Sequence, residues 1–598
     1  MADFEKSTNE KTKDPCGICG VSVTWAFHPA TGELIISGAG AMTDYDGDYA
    51  PWSEAEDNIQ TVRVEEGVTA ISDGAFSYCK NLTTVILPNT MGSIGREAFH
   101  ACKRLSHIII PAGVFEIRED AFTECPCLDA FQVDEKNPFY TAEDGVLFCK
   151  SMARLIQYPA NRAQREYAIP QTVTDIESSA FYGCKMLSTI TMSDQVNNIG
   201  EGAFCNCTDL TELVIPNGVT RIQPITFLGC RNLQRLAIPN SVTSIGEYAL
   251  SGCSNLTCIA LPEDLVELQA GAFSECDHMA AIQICGNNPN FRLIDGVLFN
   301  GDGTELLLYP AARIHTDYAV PNGVAEIGAH AFDSCEKLVR ITTPQGVIRI
   351  GEHAFFRCSN LEEVALPDSM ASIGAAAFMN CGKLSEIRIP NGMTDIASAS
   401  FCGCTEIKTI AIGIGIESIG FRAFYGCKAL PSVTIPSGVN GIWDEAFAEC
   451  TALSTIAFEG TPPHLFDASA FHSCAEGFTV FYYASVANAW AAADPALWDA
   501  YAKMEIPKGV LPSDLLAFGT CGDGVQWALT KDGRLTIGGN GEMAKYTSRE
   551  DVPWHEYVHA IRVIDVQNGV SHSERLSLAG CARLFELTLP NTVIHCEP

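Results

Sequence analysis

Cysteine offers the most chemistry in this 598-residue chain, which holds 26 of them. Cys16 and Cys19 form a single Cys-x-x-Cys, and Cys205/Cys207 and Cys402/Cys404 are Cys-x-Cys pairs. A zinc site would need the lone Cys-x-x-Cys to be met by a second pair or by histidines at a set spacing, and the 13 histidines are scattered. Cys16/Cys19 is the one pair to test for metal. No Gly-x-Ser-x-Gly, His-Glu-x-x-His or Gly-x-x-x-x-Gly-Lys motif occurs. Gly413-Ile414-Gly415 falls at a turn position of a repeat, so it does not read as a nucleotide loop. His330 and His353 precede Ala-Phe pairs, at positions expected to face outward. The residues therefore point to no enzyme, no cofactor and no metal.

Composition narrows the classes further. The chain has 72 acidic and 38 basic residues, a formal charge of −34, which argues against nucleic acid and for a solvated surface. A hydrophobic fraction of 47% with 18% charged residues is globular rather than disordered. No apolar run reaches the roughly 18 residues of a membrane span, so no membrane insertion is expected.

Most of the cysteines belong to a pattern. Ala-Phe-x-x-Cys recurs from Phe76 to Phe471, with Leu250 standing in for the ring once, and each ring is followed by a cysteine, from Cys79 to Cys474. The steps are 23 residues, apart from two of 59 and a last of 24. Such a period means a solenoid, in which a coil buries its apolar side only against its neighbours. In one coil Leu213 and Ile215 alternate around Val214 as a short strand, and Pro216 ends it by removing a ladder donor. Asn217-Gly218 turns the chain, Val219 and Ile222 point inward again, and Phe227 and Cys230 close the coil in a short helical or 3₁₀ turn. Consecutive ladder cysteines should lie about 5 Å apart. That spacing permits disulfides, but parallel side chains and arbitrary pairing favour small buried thiols.

The consensus Leu-x-x-Ile-x-Ile-Pro-x-x-Val-x-x-Ile-Gly-x-x-Ala-Phe-x-x-Cys resembles the BspA-type leucine-rich repeat family over roughly residues 60 to 475. The resemblance implies a repeat solenoid with a parallel β-sheet, carrying here small antiparallel β-cap modules. It also implies an interaction or adhesion module of bacterial cell surfaces, whose partner would be a host or matrix protein. The first fifteen residues show no signal-peptide pattern and no anchor motif is visible, so the residues leave the location unknown.

Residues 1–15 read as a disordered tail, 16–58 as a β-cap module and 59–475 as the solenoid. The two long steps are insertions at about 134–169 and 285–320, copies at an offset of 151: Asn137-Pro138 matches Asn288-Pro289, and Asp144 to Phe148 matches Asp295 to Phe299. Alternating apolar residues suggest β-hairpins. Residues 476–508 read as a capping strand and a helix, with Trp490, Trp498 and Tyr501 at helical spacing, and 509–517 as a linker. The cap then recurs at an offset of 502, with Trp25 matching Trp527 and Trp52 matching Trp554, so 518–560 is a second β-cap module. Residues 561–598 begin a second, incomplete array whose strand from Leu584 to Leu589 would be an exposed edge able to pair with another chain.

Binding is what remains. Outward strand positions vary while inward ones do not, and the variable strip carries His107, Glu212, Arg235, Arg340, Glu363, Glu386 and Arg388 as candidate partner contacts. Two other readings stand beside protein recognition. One is a structural scaffold assembling homotypically through the C-terminal end. The other is carbohydrate binding by the insertions, where Tyr158 and Tyr309 would stack on sugars if they do not pack in the core.

Overall fold

The computed structural model describes residues 14–44, 50–476, 478–498, 501–506, 514–523, 525–539, 541–572 and 580–590. Residues 1–13 of the expected tail, most of the expected linker and much of the second array's residues lie outside them. Residues 1–301 with 310–312 form one compact unit, and 302–309 with 313–598 form another.

Each coil contributes two short parallel strands. In the first unit Thr189–Thr191, Glu212–Val214 and Arg235–Ala237 pair in register as one ladder. Arg221–Ile222, Ser244–Ile245 and Glu267–Leu268 form the other. Leu213, Ile222, Phe227 and Cys230 are buried between them. The rings stack into a column at the same spacing as the strands: Phe204 and Phe227 lie 5.5 Å apart and almost parallel.

The turn that closes each coil is where the structure adds most to the expectation. It is built from i→i−3 bonds of the 3₁₀ kind, such as Leu228 N–H to Ile225 O at 3.1 Å and Cys230 N–H to Phe227 O at 3.1 Å. Two left-handed residues, Ile225 (φ 47°) and Gly229 (φ 72°), interrupt it. Left-handed backbone is unusual for any residue but glycine, and most of all for β-branched Ile225. Its effect is to turn alternate peptide planes along the stack. Phe227 N–H donates to Ala249 O at 2.7 Å and Gly229 N–H to Ser251 O at 2.8 Å, both in the next coil. The turn thus forms a third inter-coil ladder beside the two sheets.

That ladder explains the cysteine. Cys230 Sγ donates to Phe204 O of the preceding coil at 3.1 Å, and Cys253 Sγ donates likewise to Phe227 O at 3.3 Å. The same arrangement recurs at Cys102, Cys358 and Cys404. A thiol is small, tolerates a dry column and still supplies a weak donor to a buried carbonyl, which alanine could not.

The first insertion is a meander. Tyr140–Glu143 pairs antiparallel with Val146–Cys149 around Asp144-Gly145, both left-handed as a type I′ turn demands. Val146–Cys149 then pairs antiparallel with Arg154–Gln157, which rejoins the parallel ladder against Asp175–Ile176. The expected hairpin is therefore preceded by a further strand. Asn137 explains the repeated Asn-Pro: its Nδ2 donates to Pro111 O and Val114 O, and its Oδ1 accepts from Phe139 and Tyr140 N–H. Asn288 donates equivalently to Pro262 O and Leu265 O.

Two boundaries are corrected. The capping helix is two one-turn helices, Ala487–Ala491 and Pro495–Trp498, because Asp494-Pro495 starts a new helix there; Asp494 Oδ1 accepts Ala496 N–H at 2.9 Å. A further strand, Ala502–Ile506, follows and pairs parallel with Thr479–Tyr483. The end of the expected linker is also strand: Leu515–Gly522 pairs antiparallel with Val525–Thr530, so residues 515–517 belong to the second module.

Both modules are small antiparallel sheets that seed a parallel ladder. Glu33–Gly38 pairs with Thr61–Val64, and Arg534–Gly539 with Val563–Val566. In the first, Trp52 heads the ring column, stacked on Phe76 at 5.5 Å, and its Nε1 donates to Ala75 O at 2.9 Å.

Candidate functional site

The outward face of the first-strand ladder is the candidate interface. Because alternate residues of a strand point to opposite faces, the inward Ile190, Leu213 and Leu236 leave Thr189, Thr191, Glu212, Val214, Arg235 and Ala237 facing out. Over these strands lies a groove of about 560 Å³, lined also by Pro216, Asn217 and Pro239. Val214 is 69% exposed at its centre. Glu212 and Arg235 are register partners on one rim, yet no ion pair joins them among the described residues.

The other candidates are placed differently. Arg340 is held by Asp317 Oδ1 at 2.9 Å and Glu363 Oε2 at 2.7 Å, register neighbours on either side. Those carboxylates, Glu363 first, push the Arg340 guanidinium further up. Arg388 is bonded to Asp368 at 2.9 Å, and Glu386 is exposed opposite Thr409. His107 is exposed, its Nδ1 3.1 Å from Ser106 Oγ. Of the seven, only Glu212 and Arg235 line the groove. Its apolar floor, Val214 with Ala237 and the two threonines, was missed in the sequence; the signal was the run of small or apolar outward residues beside the charged ones.

One alternative is resolved and one placement is corrected. Tyr158 and Tyr309 pack in the core, as the second of their two readings had it, and so do not stack on a sugar. Each takes the column place of a ring, one repeat before Phe181 or Phe332 and stacked on it at 5.2 and 5.1 Å. His330 does not face outward: it is 8% exposed, stacked on His353 at 4.9 Å, with Nδ1 3.3 Å from Asp333 Oδ2. A left-handed residue before Ala-Phe lets its side chain lie along the coils instead of leaving them. Burial, then His330, holds His353 below the usual imidazole range.

Most of the column thiols sit as inert groups; Cys358, hydrogen-bonded by Cys335 and Cys381, is held below the usual thiol range in spite of its burial. All the described cysteines are free, and those of the column are buried except Cys474 at its end, which is half-buried. Burial pushes Cys79 up to about 12 and raises Cys207, Cys230 and Cys253 well above the usual thiol range. Cys16 is exposed on its strand while Cys19 enters the cap core. Among the described residues no group of three or more His, Cys, Asp or Glu is placed to hold a metal. No helix among them is long and apolar enough to cross a membrane.

The family described as "BspA type Leucine rich repeat region (6 copies)" matches residues 54–161, 160–280, 315–429 and 394–487. A search of curated proteins returns no match. Among solved structures the chain is similar to a leucine rich cell surface protein from Faecalibacterium prausnitzii, at 24% identity and a TM-score of 0.37, covering 81% of this chain and 96% of that one. A leucine-rich repeat protein from Bacteroides ovatus is similar at 24% identity and a TM-score of 0.31, covering 70% and 94%. The pneumococcal vaccine antigen PcpA is similar at 16% identity and a TM-score of 0.33, covering 83% and 100%.

Proposed function

We propose that this chain, which belongs to the BspA-type leucine-rich repeat family, is a non-catalytic interaction module that meets a protein partner on the outward face of its first-strand ladder. The observation that carries this reading is the groove over Thr189–Thr191, Glu212–Val214 and Arg235–Ala237. It has an exposed apolar centre and a charged rim whose Arg235 makes no ion pair among the described residues. That is the composition of an interface core and rim. Flanking coils supply further surface, toward the roughly 800 Å² per partner of a standard interface. The ion-paired Arg340 and Arg388 are less suited to lead, because a partner would first have to break the bonds they already make. Adhesion to a host or matrix protein is the finer form of this proposal.

The test is selection of binders from a protein display library on the full chain, followed by measurement on the Val214→Asp, Arg235→Glu double variant. Clones selected on the native chain should bind the variant at least about tenfold more weakly. If most bind both alike, the groove is not the interface.

A further inference from the structure

Six of the seven tryptophans are buried, Trp25 being the most exposed of them at 9%. Trp443 is 46% exposed. It follows Gly441–Ile442 in the second-strand ladder, where Asp395–Ile396, Ser418–Ile419, Gly441–Ile442 and Leu465–Phe466 pair in register. Neighbouring coils carry Asp395, Ser418 and Leu465 where this coil has glycine. A Cβ on Gly441 would lie 3.6 Å from Trp443 Nε1 and 3.8 Å from the Leu465 side chain. The indole therefore lies over the space that the glycine leaves, and its Nε1 donates to Ser418 Oγ at 3.2 Å. With the ring's only polar atom engaged inside the chain, its face is what a partner meets.

The surroundings decide what that partner is. Asp444 follows Trp443, and Asp467 occupies the equivalent place on the next strand, its N–H donating to Ile442 O at 3.2 Å. Ser469 donates to Asp467 Oδ1 through both its N–H and its hydroxyl, which holds that carboxyl below the usual range and keeps it ionised. Glu417 precedes Ser418 on the other side. Arg422 is matched by Glu445 and lies over Phe421. An exposed indole face beside Glu417, Asp444 and Asp467, carboxylates that make no ion pair with a cationic side chain among the described residues, fits a cation better than an anion or a second apolar patch.

We propose that Trp443 is a docking platform for an arginine or lysine side chain of a partner protein, its stem on the indole and its charge toward Asp444, Asp467 and Glu417. This rests on reading the chain as an interaction module, but it uses a different ladder from the groove. Its failure would leave the Arg235 experiment standing, and the reverse.

The test titrates the full chain into a dye-labelled hexa-arginine peptide at about 0.15 M salt, where long-range attraction to the acidic surface is screened. Trp443→Ala should weaken binding at least about fivefold, Trp443→Phe should recover most of it, and Glu201→Gln, an exposed acid elsewhere, should change nothing. Peptide should also shield the chain's tryptophan emission from acrylamide, a readout that uses no variant. Equal binding by Trp443→Ala and the native chain, or equal binding of hexaglutamate or a neutral oligosaccharide, overturns the proposal. Should Trp443→Ala melt early, the Glu417→Gln, Asp444→Asn variant decides by the same criterion.

Discussion

The two β-cap modules share a core and differ at their first strand. In both, a tryptophan meets a second one edge-on: Trp25 and Trp52 at 5.9 Å, Trp527 and Trp554 at 5.5 Å. In both, a glycine lies under the first indole, and a Cβ there would come within 2.8 Å (Gly17) or 3.1 Å (Gly519) of its Nε1. The first strand, however, is Cys16–Ile18 in one and the eight-residue Leu515–Gly522 in the other. Cys16 and Ile18 are exposed, whereas Leu515 and Phe518 pack on Ala457 of the last coils and on Phe481 and Tyr483 of the preceding cap, Phe518 edge-on to Phe481 at 5.2 Å. One scaffold thus starts a stack in both places, and in the second its leading strand also packs on the coils that precede it. In the second unit the module is docked on the preceding array rather than tethered to it.

The comparison can be broken at several strengths. Trp52→Ala should have the largest effect, about 3–5 kcal/mol in urea denaturation, since it empties a buried site and removes the donor to Ala75 O. Trp554→Ala should match it in size, but hydrogen exchange should show the loss confined to the second module. Next comes pH. Burial raises Cys19 to about 11 and Cys521 to about 12. A thiol that keeps its proton longer when folded costs nothing below the ordinary thiol value of 9.0 and destabilises above it, as the unfolded chain ionises first. Urea midpoints should therefore be flat to about pH 9 and fall beyond it. Cys19→Ser and Cys521→Ser should each flatten part of that fall. Phe518→Ala should cost about 1–3 kcal/mol and separate the melting of the second module from that of the preceding cap in calorimetry. The smallest effect belongs to Cys16→Ala at the matching position, within about 0.5 kcal/mol, because that side chain is exposed. A cost there equal to that of Phe518→Ala would remove the distinction between the two strands.

The sequence was most legible where a repeat multiplied a signal. Inward residues such as Leu213 and Ile222, the ring column and the thiol column are all read from the period of 23. What the period could not reveal was conformation without a fixed residue type. The first left-handed position holds Ile225 in one coil and His330 in another, and the second holds Gly229 and Arg357, so no letter marked them, and His330 was misplaced as a result. Core packing of Tyr158 was one of two open readings, because its partner in the column, Phe181, lies beyond the insertion. The candidate strip was legible as a row, but which arginines are already bonded is a matter of neighbours a whole coil away. Arg235 and Arg340 look alike in the chain and differ only through Asp317 and Glu363. Trp443 was passed over because nothing in one coil says that its six counterparts are buried.

The turn ladder has a direction. Phe76 N–H points to Ala98 O and Phe99 N–H to Ala121 O, and the same sense holds through each run of coils. Peptide dipoles aligned in one sense add, as they do along a helix axis. A run of coils is therefore an electrically polar rod, with carbonyl oxygens toward its beginning and amide hydrogens toward its end. Whatever begins a run must offer hydrogen-bond donors, and the Trp52 indole is such a donor. A tryptophan there closes the rod by charge as well as by shape, and phenylalanine, which fills the same space, would leave the oxygen end open.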